Sequence, residues 1–259
     1  MAVEKGLGLI TVTNHETVAG LPVFLQAAEK ASIAALTGLA SESRCDWVET
    51  GCEIHLLAYG FPLESEELGH LMETQRRKRD ERNGEILDLL AAKGYPIHIA
   101  ERESDVVNRM HIAMALIAAG HAVDVRDAFA RFLGPGGLAR LDMEKLAAEG
   151  FIDLVHRLGG LVFWAHPLLM RGDWLLALDA LCKLGLDGVE VYYPAHRADG
   201  MAKLRAVALE KGLMISTGSD FHGANRAHVE YGVLAELADL DPEIRKTAEH
   251  LASLAHGAS

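Results

Sequence analysis

Leu213-Met214-Ile215-Ser216-Thr217-Gly218-Ser219-Asp220-Phe221-His222-Gly223 holds the reading of this chain. Its first five residues are an apolar run of buried-strand type. Small residues end the run, and an Asp-x-His pair follows. In extended backbone, residues i and i+2 face the same way, so Asp220 and His222 can reach one point. A carboxylate oxygen and an imidazole nitrogen at one point is first-row metal chemistry. The competing reading is a surface loop that happens to carry an Asp and a His. A hexapeptide decides little between the two, so the neighbouring segments have to.

Working back from this run, strand and helix patterns alternate. Residues 197–211 read as a helix and Gly188-Val189-Glu190-Val191-Tyr192-Tyr193 as a strand ending in Pro194-Ala195-His196. Residues 174–184 read as a helix, and Gly160–Ala165 as a strand ending in His166-Pro167. Residues 143–158 read as a helix. At the front of the chain, Met1–Gly6 resembles the last turn of a helix with Gly6 as its cap. Leu7–Thr13 then reads as a strand running into Asn14-His15-Glu16-Thr17. A helix over 21–30, a strand over 32–39 and a strand over 52–60 that contains His55 complete this part. After Asp220, residues 236–259 read as a polar helix. Such alternation predicts a mostly parallel α/β sheet, open or closed into a barrel.

The pattern breaks between residues 62 and 141. That block shows helix periodicity only, over 64–93, 106–119 and 125–132, and Gly134-Pro135-Gly136-Gly137 interrupts it. It reads as a helical lobe inserted into an α/β unit made of 1–61 and 142–259. Its charges, Arg76 to Arg82 above all, suit a solvated helix face.

Composition narrows the possible functions. The 259 residues carry a net charge of −12, which argues against a duplex nucleic-acid surface. A local Arg and His cluster can still bind a small anion. Cys45, Cys52 and Cys182 have no paired metal spacing and no disulfide framework, so a reducing cytoplasm is expected. No apolar run approaches membrane-spanning length, and no membrane partner is expected.

Thirteen histidines invite a look at where they fall. His15, His166, His196 and His222 each follow a strand at its C-terminal side. In parallel α/β sheets and barrels the active site lies at those ends. Imidazoles gathered with Asp220 suggest Zn, Mn or Fe. Two or more such ions close together are the usual apparatus for phosphoester hydrolysis. The residues alone therefore point to a metal-dependent hydrolase of an anionic ester.

Several stretches resemble the PHP-domain (polymerase and histidinol phosphatase) metallophosphoesterases. They are Thr13-Asn14-His15-Glu16-Thr17, Ile54-His55-Leu56-Leu57-Ala58-Tyr59-Gly60, Ala165-His166-Pro167, the run from Gly185 to His196, and Gly218-Ser219-Asp220-Phe221-His222-Gly223. They occur in the family's order and span nearly the whole chain, lobe included. The last two are most similar to the branch that hydrolyses nucleoside 3′,5′-bisphosphates and the 5′ ends of short RNA. The resemblance implies a distorted (β/α)7 TIM-like barrel and a site for Mn, Fe or Zn. By position it makes His15, His55, His166, Asp220 and His222 metal ligands, with His15, Asp220 and His222 also in the catalytic set. His196 would face the substrate. In the lobe, Arg79, Arg82, Arg109 and His111 match the segments that hold it; the planar fork of Arg suits phosphate.

Three departures qualify what is implied. The family opens with a strand ending in His-x-His, and no His precedes His15 here. The barrel is therefore expected to lack its first strand, to hold fewer than three ions, and to offer an open edge for self-association. Either the recorded start lies downstream of the true one or the chain is a degenerate member; the helix-like Met1–Gly6 favours the first. Second, the family's Glu falls at Ala40; Glu42, two residues on and on the same face, is either its stand-in as a metal ligand or a surface Glu. Third, Asn14 and Glu16 replace two Asp. The expected substrate is a small phosphorylated nucleotide or a short oligonucleotide end. The alternatives are a catalytically degenerate nucleotide-binding module and a phosphatase for another phosphomonoester, such as a sugar or histidinol phosphate.

Overall fold

The computed structural model describes residues 2–45, 52–99, 107–221 and 241–257. A single 3-10 turn, Val3–Lys5, ends at left-handed Gly6, whose N–H bonds back to the Val3 carbonyl. Strand β1 (Leu9–Thr11) precedes helix α1 (Leu21–Lys30) and pairs in parallel with β2 (Ala34–Leu36). The residues read from sequence as one strand over 32–39 are in fact two. The break lies at Thr37, and β3 (Gly38–Cys45) begins immediately after it. Gly38 makes the step possible. A Cβ there would lie 2.3 Å from Thr11 Oγ1 and 2.6 Å from the Val12 carbonyl. The β1 segment then runs on alongside β3: Ala40 N–H donates to the Asn14 carbonyl and Glu16 N–H to the Ala40 carbonyl, fixing His15 opposite Ala40.

β3 is antiparallel to β4 (Cys52–Tyr59), from Gly38 opposite Tyr59 to Cys45 opposite Cys52. β4 is thereby reversed within a sheet that is otherwise parallel, as expected. A link of residues 46–51 is too short for the crossover that a parallel neighbour needs. β4 is also antiparallel to β6 (Leu161–Trp164). The six-stranded sheet has the order β5-β3-β4-β6-β7-β8; β5 (Leu146–Ala147) is parallel to β3, and β7 (Gly188–Tyr192) is parallel to both β6 and β8 (Met214–Thr217). β5 occupies the start of what sequence periodicity assigns to a helix; α5 (Ala148–Arg157) begins only after it. No helix among the described residues is long and apolar enough to cross a membrane.

The chain packs as two compact units, 1–68 with 145–259, and 69–144. In the first, one sheet face buries Leu36, Ala40, Leu57, Tyr59, Phe163 and Ala165 against Leu251 of the C-terminal helix, Pro242–Gly257. α5 covers the other face with Phe151, Ile152 and Val155. α6 (Trp174–Lys183) and α7 (Ala198–Glu210) precede β7 and β8 respectively. Asp241, buried, ties three elements together. Arg205 of α7 donates to both its oxygens at 2.6 and 2.8 Å, the Tyr192 hydroxyl of β7 donates at 2.6 Å, and the Glu243 N–H at the start of the last helix donates at 3.1 Å. The second unit is helical among its described residues. The bulk of α2 (Glu66–Ala92) packs there with α3 (Arg109–Ala118) and α4 (Val125–Ala128) around Ile86, Leu90, Ile112, Leu116 and Phe132.

Candidate active site

Strand alternation places the site. On one face of β4, Tyr59 and Leu57 enter the core, and the next residue on that face is His55. The register sets Glu42 of β3 directly opposite His55. Ala165, past the end of β6, donates its N–H to the His55 carbonyl at 2.9 Å, and His166 follows with a left-handed backbone, φ 34°. That turn is braced by Glu190, a buried carboxylate in the middle of β7. Its Oε2 accepts the His166 N–H at 2.8 Å. Gly218, just past β8, leaves room for it: a Cβ there would stand 1.9 Å from Glu190 Oε1.

Three imidazoles from three separate segments meet in this region. The His15 and His55 rings lie 5.2 Å apart edge to face, and those of His55 and His166 lie 4.9 Å apart. The row continues through Tyr193, 5.2 Å from both His166 and His196. Tyr193 donates its hydroxyl to Asp220 Oδ2 at 3.0 Å. An open cleft beside the row is lined by Glu53, His55, Trp164, His166, Leu169 and Met170.

Electrostatics follow from burial. His166 is held down to about 4, chiefly by desolvation and then by neighbouring His55, so near neutral pH it is an uncharged donor, the form a metal needs. Burial also lowers His196, whose Nδ1 donates to the Val191 carbonyl at 2.9 Å. That bond fixes the tautomer and leaves Nε2 as the lone-pair nitrogen. It is buried and has no hydrogen-bond partner among the described residues. Glu190 is pushed up to about 8 by burial, although the His166 N–H opposes the shift.

The carboxylates converge separately. Glu42, Glu53 and His55 have ligand atoms within 4.8 Å of one another, closer than His15, His166 and Asp220 come as a group among the described residues. Glu53 is held at about 2, first by its bond to His55 and also by Lys145. Burial would raise Glu42, but the charge and hydrogen bond of Lys145 outweigh it and keep Glu42 low. Lys145 bonds to both carboxylates, reaching Glu42 Oε2 at 3.0 Å. By donor type, the imidazoles with Asp220 fit an ion such as Zn, Mn or Fe.

His222 lies outside the described residues. The four expected lobe residues belong to the second unit. Arg79 is buried on α2 and lowered to about 10, by desolvation and then by Arg82. Arg82 donates to Asn83 Oδ1 at 3.0 Å. Arg109 donates to the Leu141 carbonyl at 2.8 Å and pairs with Asp142. His111 closes a capping box with Asn108 at the start of α3.

No family model matches the chain. Its relatives are clear nonetheless. It is 31% identical over 230 residues to a 5′-3′ exoribonuclease of Haemophilus influenzae, covering 85% of this chain and 81% of that one. The chain belongs to the PHP-type phosphoesterase family. Family members of more distant sequence include a phosphoribosyl 1,2-cyclic phosphate 1,2-diphosphodiesterase of Eggerthella lenta (26% identical, 86% of each chain). Another is a 3′,5′-nucleoside bisphosphate phosphatase of Chromobacterium violaceum (26%, 91% of this chain and 84% of that one). Among solved structures, a Bifidobacterium adolescentis protein assigned as a metal-dependent phosphoesterase shares the fold. Its TM-score is 0.77 at 24% identity, over 90% of this chain and 83% of that one.

Sequence reasoning passes over Glu190, Tyr193, Glu53 and Lys145. Glu190 leaves a signal, a lone carboxylate inside an otherwise apolar strand. Tyr193 sits in the quoted family run but reads there as strand. Lys145 leaves none, because its partner Glu42 is 103 positions away.

Proposed function

We propose that this phosphoesterase removes phosphate from small phosphorylated nucleotides, nucleoside 3′,5′-bisphosphates or the 5′ end of short RNA. One observation carries the reading: the row of His15, His55 and His166, drawn from three segments, that leads through Tyr193 to Asp220. Those four metal-type side chains would hold a divalent ion, whose chemistry when bound is Lewis-acid polarisation of the ester and acidification of the attacking water. The neutral state of His166 supports the assignment. Tyr193 orients Asp220, and Glu190 fixes the His166 backbone. We assign His196 Nε2, with Arg79, Arg82, Arg109 and His111 of the lobe, to the substrate. The names of the relatives support the choice of nucleotides. We read the sheet, joined to β1 through the His15–Ala40 bridge, as a distorted (β/α)7-type barrel without its first strand. The free thiol of Cys182 suits a cytoplasmic enzyme.

The test is phosphate release from adenosine 3′,5′-bisphosphate and from a 5′-phosphorylated oligoribonucleotide with added Mn²⁺. Turnover is expected, falling at least about 100-fold in His166→Ala. A chain that binds no Mn²⁺ and turns over neither substrate in its presence rejects the proposal. Thermal stabilisation by the nucleotide without phosphate release would make the chain a binding module instead.

A further inference from the structure

Two cation positions can be told apart in this site. One is the imidazole row with Asp220. The other is the space between Glu42, Glu53 and His55, whose ligand atoms lie within 4.8 Å of one another. Backbone geometry builds the second. Glu42 and His55 are cross-strand partners in β3 and β4, and Glu53 precedes His55 by two on the same face. On the far side of β3, β5 pairs Leu146 with Ser43. That pairing brings the residue before Leu146 to the end of Glu42. The residue is Lys145. Its side chain is mostly buried, 19% exposed, and its ammonium bonds to Glu42 and Glu53 together.

We propose that Lys145 is a built-in counter-cation that fills the Glu42/Glu53 position, so that this part of the site takes no metal ion. An ion there would need both carboxylates at about 2.0–2.2 Å. The ammonium already engages one oxygen of each, Glu42 Oε2 and Glu53 Oε2, and a short tether to β5 keeps it in place. A compact –NH₃⁺ satisfies carboxylate charge and directs three hydrogen bonds. Unlike a metal, it polarises no ester. Glu42, the candidate stand-in for the family ligand that falls at Ala40, is thereby withdrawn from the metal set. Its role with Glu53 becomes to hold Lys145, and the ion of the phosphoesterase reading is confined to the imidazole row.

The inference rests on the metal-dependent reading, and the experiment separates the two. Mn²⁺ bound per chain is measured by equilibrium dialysis and elemental analysis for the wild-type chain, Lys145→Met and Glu53→Gln. Lys145→Met is expected to bind one equivalent more than wild type, because the two carboxylates are released to coordinate. Glu53→Gln, a half-exposed change that spares the fold, is expected to match wild type in both stoichiometry and affinity. Lys145→Met with unchanged stoichiometry overturns the inference. So does a loss of bound Mn²⁺ in Glu53→Gln, which remains decisive if Lys145→Met fails to fold. Wild-type chain that binds no Mn²⁺ rejects the phosphoesterase reading by itself. A gain of one ion in Lys145→Met would still uphold the role of Lys145.

Discussion

Four residues other than glycine have positive φ among the described residues: Glu16, Ser32, His166 and Asp220. Three of them are at or beside candidate site positions. Left-handed backbone costs an L-residue about 1–2 kcal/mol, so each must be held by its surroundings. For His166 the holder is visible: the Glu190 carboxylate on its N–H. Gly218→Ala tests this brace. The new Cβ would meet Glu190 Oε1 at 1.9 Å and displace it. Urea unfolding should show a loss of about 1–3 kcal/mol, the usual cost of overpacking. An unchanged midpoint would mean that Glu190 moves freely and braces nothing. The candidate site was legible in part. His15, His55, His166 and Asp220 stand out because polar side chains interrupt or end apolar runs. Lys145 and Glu53 do not, since a salt bridge between distant segments leaves no local pattern.

At the scale of elements, the order of strands and helices and the mostly parallel sheet were readable, but the reversal of β4 was not. β3 escaped notice because its buried positions include Ser41 and Ser43, whose hydroxyls satisfy each other at 3.1 Å. Periodicity registers hydrophobicity, and a buried serine pair has none. The Asp241 clamp on β7, α7 and the last helix was equally silent. Its energetics are open to test. Arg205, followed by the Tyr192 hydroxyl, holds the Asp241 carboxyl well below the usual carboxylate range. A depressed folded-state value means that its stabilisation is present above the ordinary Asp range, near 4, and is lost as pH falls through the folded value. Asp241→Asn should therefore cost about 1.5–3 kcal/mol at pH 7, typical of hydrogen bonds to a charged group. The gap from wild type should narrow on acidification below about pH 4. Thermal melts across that range provide the check, and a gap independent of pH would show that the carboxylate charge contributes nothing.

For the molecule as a whole, the net charge of −12 and the strand edges act in opposite directions. Among the described residues β1 pairs only with β2, and β8 only with β7. Such edges favour pairing between copies, while like charge opposes it. Screening weakens the repulsion beyond about 10 Å at 0.1 M salt. Self-association should thus grow with salt at fixed protein concentration, as read by sedimentation velocity. A monomer at every salt concentration would dispose of the idea. The division into two units was legible because a block of helix periodicity interrupts the alternation of strands. Its exact return point could only be seen in three dimensions. The chain leaves the sheet-bearing unit after Leu68 and re-enters it at Lys145. The re-entry residue is thus the ammonium itself. Residues 69–144 form a cassette: recombination could exchange it whole, while the imidazoles and their tethered lysine are inherited untouched.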